Sequence, residues 1–149
     1  GLPHWALELE ITESSIMTDP RRAMTNLERL HELGICLSID DFGAGYSSLA
    51  YLKRLPVQTL KIDFSFVRQM LDDEQDEIIV KSTIHLAHNL GLNVVAEGVE
   101  SEALLHRLQA LGCDLAQGYH IGRPMPQAAL ENWLTDSRWV ERPCEPHRS

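Results

Sequence analysis

No run in this 149-residue sequence approaches the roughly 20 apolar residues that a bilayer crossing needs, and no basic-plus-apolar leader opens it. Basic residues are scarce. Thirteen Lys and Arg against 22 Asp and Glu leave a net charge of −9, which argues against a nucleic-acid-binding surface or an anionic membrane as partner. An anionic ligand would therefore need a bridging cation. The three cysteines (Cys36, Cys113, Cys144) are widely spaced without a Cys-x-x-Cys, so reduced thiols in a cytosolic setting are expected. No Gly-Lys-Ser/Thr follows the glycines, which removes a P-loop. Asp41-Phe42-Gly43 spells the kinase tripeptide, but the His-Arg-Asp loop and the phosphate-covering glycines are absent.

What is present is a chain of ordinary globular composition, 44% hydrophobic and 23% charged, long enough for one domain with a core. Apolar residues at helical spacing run into a Leu-Gly pair, and a short β-type run follows. Ala23, Leu27 and Leu30 lead to Leu33-Gly34 and then Ile35–Ile39. Ile79, Thr83, Leu86, Ala87 and Leu90 lead to Gly91 and Leu92–Ala96, while Leu104, Leu108 and Leu111 lead to Gly112 and Cys113–Ala116. Glycine relieves the left-handed turn at a helix end, so each pair is a stop signal. Asp19-Pro20 and Ser101-Glu102 read as helix starts. A short helix is expected near Ser48–Arg54. The predicted strands are Trp5–Glu10, Ile35–Asp40, Thr59–Ile62, Asn93–Ala96 and Leu115–Gln117. Strands alternating with amphipathic helices imply βα units on a parallel sheet, an α/β fold. The Pro-broken polar tail, residues 140–149, is expected to be disordered, which leaves residues 1–139 as the domain.

The strand ends carry the chemistry. The first gives Glu10 with Glu13 after it, the second Asp40 and Asp41, the third Lys61 and Asp63, the fourth Glu97 and Glu100, and the fifth Gln117. A polar group at every strand end is the pattern of a site at the carboxyl rim of a parallel sheet. Adjacent side chains on an extended backbone point to opposite sides, so Asp40 and Asp41 are expected to serve separate roles. Carboxylates without a matching Cys or His set imply hard cations, Mg²⁺ or Mn²⁺. His85 and His88, one turn apart, read as partly exposed helix positions. A cation held by acids beside a lysine suits phosphate chemistry.

The runs Glu8-Leu9-Glu10-Ile11-Thr12-Glu13-Ser14, Asp40-Asp41-Phe42-Gly43-Ala44-Gly45-Tyr46-Ser47-Ser48-Leu49, Leu60-Lys61-Ile62-Asp63, Ala96-Glu97-Gly98-Val99-Glu100 and Gln117-Gly118-Tyr119 through Arg123-Pro124 resemble EAL domains. These are bacterial cyclic-di-GMP phosphodiesterases, and the motifs stand here in family order. The resemblance implies the last five or so βα units of a partial (β/α)₈ TIM-type barrel, and hydrolysis of cyclic di-GMP to pGpG at a two-metal Mg²⁺ or Mn²⁺ site. It implies metal ligation by Glu10, Asp40 and Asp41, catalytic roles for Glu97 and Lys61, and supporting positions for Gln117, Glu100 and Asp63. Glu13 resembles the tether of the regulatory loop Phe42, Gly43, Ala44, Gly45, Tyr46, Ser47 and Ser48, which the family uses in dimerisation.

The name-giving Glu-Ala-Leu motif and a metal-binding asparagine are absent, so the chain by itself is expected to be inactive and its metal site impaired. Open strand edges near Trp5–Glu10 and Leu115–Gln117 are expected to recruit a second copy, with strand exchange as one route. The setting implied is the bacterial cytoplasm, with any membrane tether lying in a preceding region. Two other readings compete: a degenerate EAL domain acting as a cyclic-di-GMP receptor, and an enolase-like barrel whose lysine abstracts a proton. The glycine loop after paired aspartates and the Glu-Gly-Val-Glu run argue against the second.

Overall fold

The computed structural model describes residues 3–43, 49–137 and 139. Their five strands form one parallel sheet in sequential order: β1 Glu8–Thr12, β2 Cys36–Phe42, β3 Thr59–Ile62, β4 Asn93–Ala96 and β5 Leu115–Ala116. Parallel neighbours need crossovers. α1 (Glu13–Thr18) with α2 (Pro20–Glu32), α3 (Leu49–Leu52), α4 (Phe64–Gln69) with α5 (Glu74–Asn89), and α6 (Glu102–Ala110) supply them, and α7 (Gln127–Asp136) follows β5. This is the expected α/β architecture of five strands with flanking helices. The tail 140–149 and the loop stretch 44–48 lie outside the described residues.

Local chemistry sets the boundaries. Asp19 Oδ1 accepts from the Arg22 amide at 3.2 Å with Pro20 in the first turn, and Ser101 Oγ accepts from the Leu104 amide at 3.2 Å. The Leu-Gly stops place Gly34, Gly91 and Gly112 at φ of 78°, 76° and 82°. Several boundaries differ from expectation: β1 runs on to Thr12, β5 ends at Ala116 and α3 covers Leu49–Leu52. Trp5 and Ala6 belong to a 3₁₀ turn, His4–Ala6, closed by the Ala6 amide donating to the Pro3 carbonyl at 3.0 Å, so β1 starts at Glu8. Ile35 is spent on the end of α2, its amide donating to the Leu30 carbonyl at 3.2 Å, and β2 starts at Cys36. β2 also runs on past Asp40 to Phe42. The six-residue helices α1 and α4 are too short to show a helical period.

The register sorts the sheet into two unlike faces. One carries Leu9, Ile11, Leu37, Ile39, Leu60, Ile62, Val94, Ala96 and Ala116 on neighbouring strands. These residues share a core with Leu27 of α2, Val67 of α4, Val80, Ile84 and Ala87 of α5, and Leu104 and Leu108 of α6. The opposite face aligns Glu10 with Ser38, Thr12 with Asp40, Ser38 with Thr59, and Lys61 with Val95. Glu10, Ser38, Asp40 and Lys61 therefore share the face opposite the core.

Side chains fasten the sheet at the amino ends of its strands. Gln58 Oε1 accepts from the Leu37 amide at 2.8 Å, and Asp114 Oδ2 accepts from the Val94 amide and His88 Nε2, each at 2.8 Å. Burial disfavours the charged Asp114, but the hydrogen bonds from His88 and Val94 outweigh it and hold the carboxyl below its ordinary range. A depressed folded-state value contributes stability above the unfolded value of about 3.9 and loses it as pH falls through the folded value. Asp114→Ala is expected to lower the urea midpoint at pH 7, with the gap to wild type narrowing as pH falls below the unfolded value of about 3.9. A gap that does not change with pH would contradict this.

Candidate active site

β2 ends in an irregularity that creates the site. Ile39 pairs with Leu60 and Phe42 with Ile62, so β2 spends three steps where β3 spends two. The extra residue is accommodated at Asp41, whose φ of 54° is the left-handed conformation that aspartate tolerates better than most residues. Alternation is thereby reset. Phe42 returns to the apolar core, and Asp41 stays beside Asp40 instead of facing away. The expectation that the two acids point to opposite sides is corrected: oxygens of Asp40, Asp41 and Glu97 all lie within 4.8 Å of one another. It rested on an extended backbone, which Asp41 does not have.

Lys61, with a side chain 5% exposed, reaches into this group from the central strand. Its Nζ donates to Glu10 Oε1 at 2.5 Å, lies 2.6 Å from Glu97 Oε1 and stands 3.5 Å from Asp40 Oδ1. Burial alone would favour the neutral amine. The hydrogen bonds to Glu10 and Glu97 and the charges of Glu97 and Asp40 prevail, and the ammonium is held well above its usual range. Asp41 moves up from the ordinary carboxylate value, through loss of water and then the negative charges of Asp40 and Asp63, with Lys61 opposing. The neighbouring Asp63 carboxyl adds to that upward shift, and it accepts from the Ser65 amide at 2.9 Å to cap α4.

The other predicted positions arrange themselves around this centre. Gln117 continues the ladder beyond β5, its amide donating to the Ala96 carbonyl at 2.9 Å. Glu100 stands apart from the carboxylate group, its Oε2 3.7 Å from Arg68 Nε. Glu13, the first residue of α1, is buried beside Phe42, Tyr51 and Leu52, and neither carboxylate oxygen has a partner among the described residues. Of the predicted loop, Phe42 and Gly43 are described, whereas Ala44, Gly45, Tyr46, Ser47 and Ser48 are not. His85 and His88 are exposed, and His88 is engaged by Asp114. Ser38 went unnoticed in the sequence. Its hydroxyl is fully buried without a partner among the described residues, on the face that carries Asp40, and its signal was a polar residue in phase with Asp40 inside an apolar run.

Four carboxylates (Glu10, Asp40, Asp41, Glu97) around one ammonium leave negative charge in excess. The donor set is all oxygen, and Asp40 Oδ1 is a buried acceptor without a hydrogen bond among the described residues. Both facts fit a hard divalent cation.

The EAL-domain family model matches residues 1–124. The cyclic di-GMP phosphodiesterase NbdA of Pseudomonas aeruginosa is 48% identical over 143 residues, 96% of this chain but 18% of that protein. Among solved structures, the PaMucR phosphodiesterase in complex with c-di-GMP superposes at a TM-score of 0.84 with 48% identity, covering 87% of this chain and 52% of that one. Klebsiella pneumoniae BlrP1, solved as a manganese and cyclic-di-GMP complex, gives a TM-score of 0.78 at 37% identity, covering 83% and 32%. The chain thus spans about half of the first of these structures and under a fifth of the curated relative.

Removing the ammonium should leave the acids uncompensated. Glu10 is half exposed and its pairing is screened by solvent, so Lys61→Met is expected to cost about 1–3 kcal/mol at pH 7 in denaturant unfolding. A raised lysine value keeps its contribution whole below the unfolded value of about 10.4 and loses it only as pH climbs through the folded value. The cost should accordingly stay flat from pH 6 to pH 9. A variant as stable as wild type would show that water, not Lys61, compensates the acids.

Proposed function

The chain belongs to the EAL-domain family, and on that premise we propose that residues 1–139 form the C-terminal portion of a phosphodiesterase domain. The complete domain hydrolyses cyclic di-GMP to linear pGpG in bacterial second-messenger signalling. The observation carrying this reading is the convergence of Asp40, Asp41 and Glu97 around the buried Lys61 ammonium. Asp40 and Asp41 hold Mg²⁺ or Mn²⁺, with Glu10 completing the set from β1. Such an ion supplies charge neutralisation at the phosphoryl oxygens and a nucleophile at neutral pH.

The chain's own residues do the rest. An ammonium has three donors, and two are committed to Glu10 and Glu97. The third is free to orient the attacking water or a phosphate oxygen, because Asp40 at 3.5 Å is only an ion-pair partner. Glu97, held by one oxygen on Lys61, takes the proton from the attacking water. A new P–O bond forms, the bond to the ribose 3′ oxygen breaks, and that oxygen takes a proton from solvent while Glu97 returns the one it accepted to solvent, which closes the proton count. Gln117 and Glu100 stand on the substrate side, and Asp63 steadies Asp41. Glu13, buried with unpartnered oxygens, tethers the loop between Gly43 and Leu49. The setting is the cytoplasm, and no described helix is long and apolar enough to cross a membrane.

For the full-length protein with Mn²⁺ or Mg²⁺, chromatography is expected to resolve pGpG as product, with turnover abolished by a chelator. Glu97→Gln should cut the rate by about 10²- to 10⁴-fold. Unaltered turnover in that variant would remove Glu97 from the reaction. The isolated 149-residue chain is expected to be inactive, and its β1 and β5 edges to pair with a second copy. Light scattering should then return about twice 16.8 kDa, and a monodisperse monomer would overturn the pairing.

A further inference from the structure

The segment carrying Glu97 is stitched to both neighbouring strands. On one side the Glu97 amide donates to the Ile62 carbonyl at 3.3 Å, which takes the β3–β4 ladder one residue past β4. On the other side the Val99 amide donates to the Gln117 carbonyl and the His120 amide to the Val99 carbonyl, each at 3.0 Å. The Val99 side chain is fully buried in the core, so its peptide is pinned from three directions.

Two glycines set how close these segments come. Gly98 is left-handed at φ 71°, and a Cβ there would lie 2.8 Å from Phe64 Cβ. Gly118 is a different case. It lies outside the left-handed region, so space and not backbone conformation bars a side chain. A Cβ on Gly118 would stand 2.2 Å from the Val99 carbonyl oxygen, 2.3 Å from its amide nitrogen and 2.6 Å from its carbonyl carbon. All three are backbone atoms, which cannot swing away as a side-chain tip would. A carbon and a carbonyl oxygen settle about 3.3 Å apart, so a methyl group at this position has to drive the two segments apart by about 1 Å. Glu97 stands two residues from Val99, and its Oε1 is held 2.6 Å from Lys61 Nζ. A displacement of that size takes such a contact out of hydrogen-bond range.

We infer that Gly118 is a positioning residue for Glu97. Its lack of a side chain lets the segment after β5 clamp the Val99 peptide, and the clamp aims the Glu97 carboxylate at Lys61 and the attacking water. The inference rests on the phosphodiesterase reading above. Aim matters because a misplacement of about 1 Å at a reacting group can cost about 10²-fold in rate.

The test uses the full-length protein with Mn²⁺ and steady-state kinetics on cyclic di-GMP, with thermal melting to establish that each variant folds. Gly118→Ala is expected to lower kcat about 10²-fold while KM stays within about threefold. In the Glu97→Gln background the same change should lower kcat by less than about twofold, because the group it positions is already disabled. A merely structural role would cost the same factor in both backgrounds. Val99→Ala loosens the clamp from the core side and keeps its backbone hydrogen bonds. It should lower kcat by about three- to tenfold, again only where Glu97 is present, and it carries the test if Gly118→Ala does not fold. Wild-type kcat in a folded Gly118→Ala or Val99→Ala variant, or equal losses with and without Glu97, would overturn the clamp and leave the phosphodiesterase reading standing. A wild type that does not cleave the dinucleotide would bring down that reading and this inference with it.

Discussion

A single buried ammonium holds the working end of this sheet together. Burying one charge costs several kcal/mol unless it is paired and hydrogen-bonded, and Lys61 meets that condition with acids from three other strand ends, Glu10, Asp40 and Glu97. The dependence is mutual. Those acids crowd within a few ångströms of one another, and without a cation among them their repulsion would splay the rim. Because Lys61 sits on the central strand, with β1 and β2 on one side and β4 and β5 on the other, one residue fixes the relative placement of groups that the chain separates widely. Folding and chemistry therefore draw on the same contact.

The EAL membership and the geometry meet at this contact without depending on one another. Family likeness comes from motifs strung along residues 1–124. The geometry comes from parallel pairing, which brings the carboxyl ends of five strands to one rim whatever the motifs are named. A degenerate relative would keep the second and lose the first. Of the site residues read from the sequence, Glu10, Asp40, Asp41, Lys61 and Glu97 meet at that rim, Glu100 stands apart, and Glu13 is set behind β2 against Phe42 and Tyr51.

Much of this was legible beforehand, for physical reasons. Leu-Gly pairs marked helix ends because a left-handed turn needs glycine, and the alternation of helix and strand implied a parallel sheet. The polar strand ends were visible because a charge cannot continue into the apolar layer, so an apolar run that halts at one halts where the strand leaves the core. The misreadings have causes as definite. Trp5 and Leu7 continue the alternation of Leu9 and Ile11, and that pattern cannot reveal that Pro3 has closed a tight turn. The bulge at Asp41 was missed because two adjacent acids were read on a regular strand. A sign was nevertheless present: Ile39 and Phe42 are both apolar yet three apart, which no uninterrupted strand can place on one face.

That bulge leaves β2 written in two reading frames. Up to Ile39 the odd positions speak to the core and the even ones to the polar face; from Phe42 onward the parity is exchanged. Asp40 and Asp41 sit at the splice, the one point where neighbouring residues address the same layer. The strand thus carries two messages along one backbone, and a single left-handed aspartate keeps them from being confused.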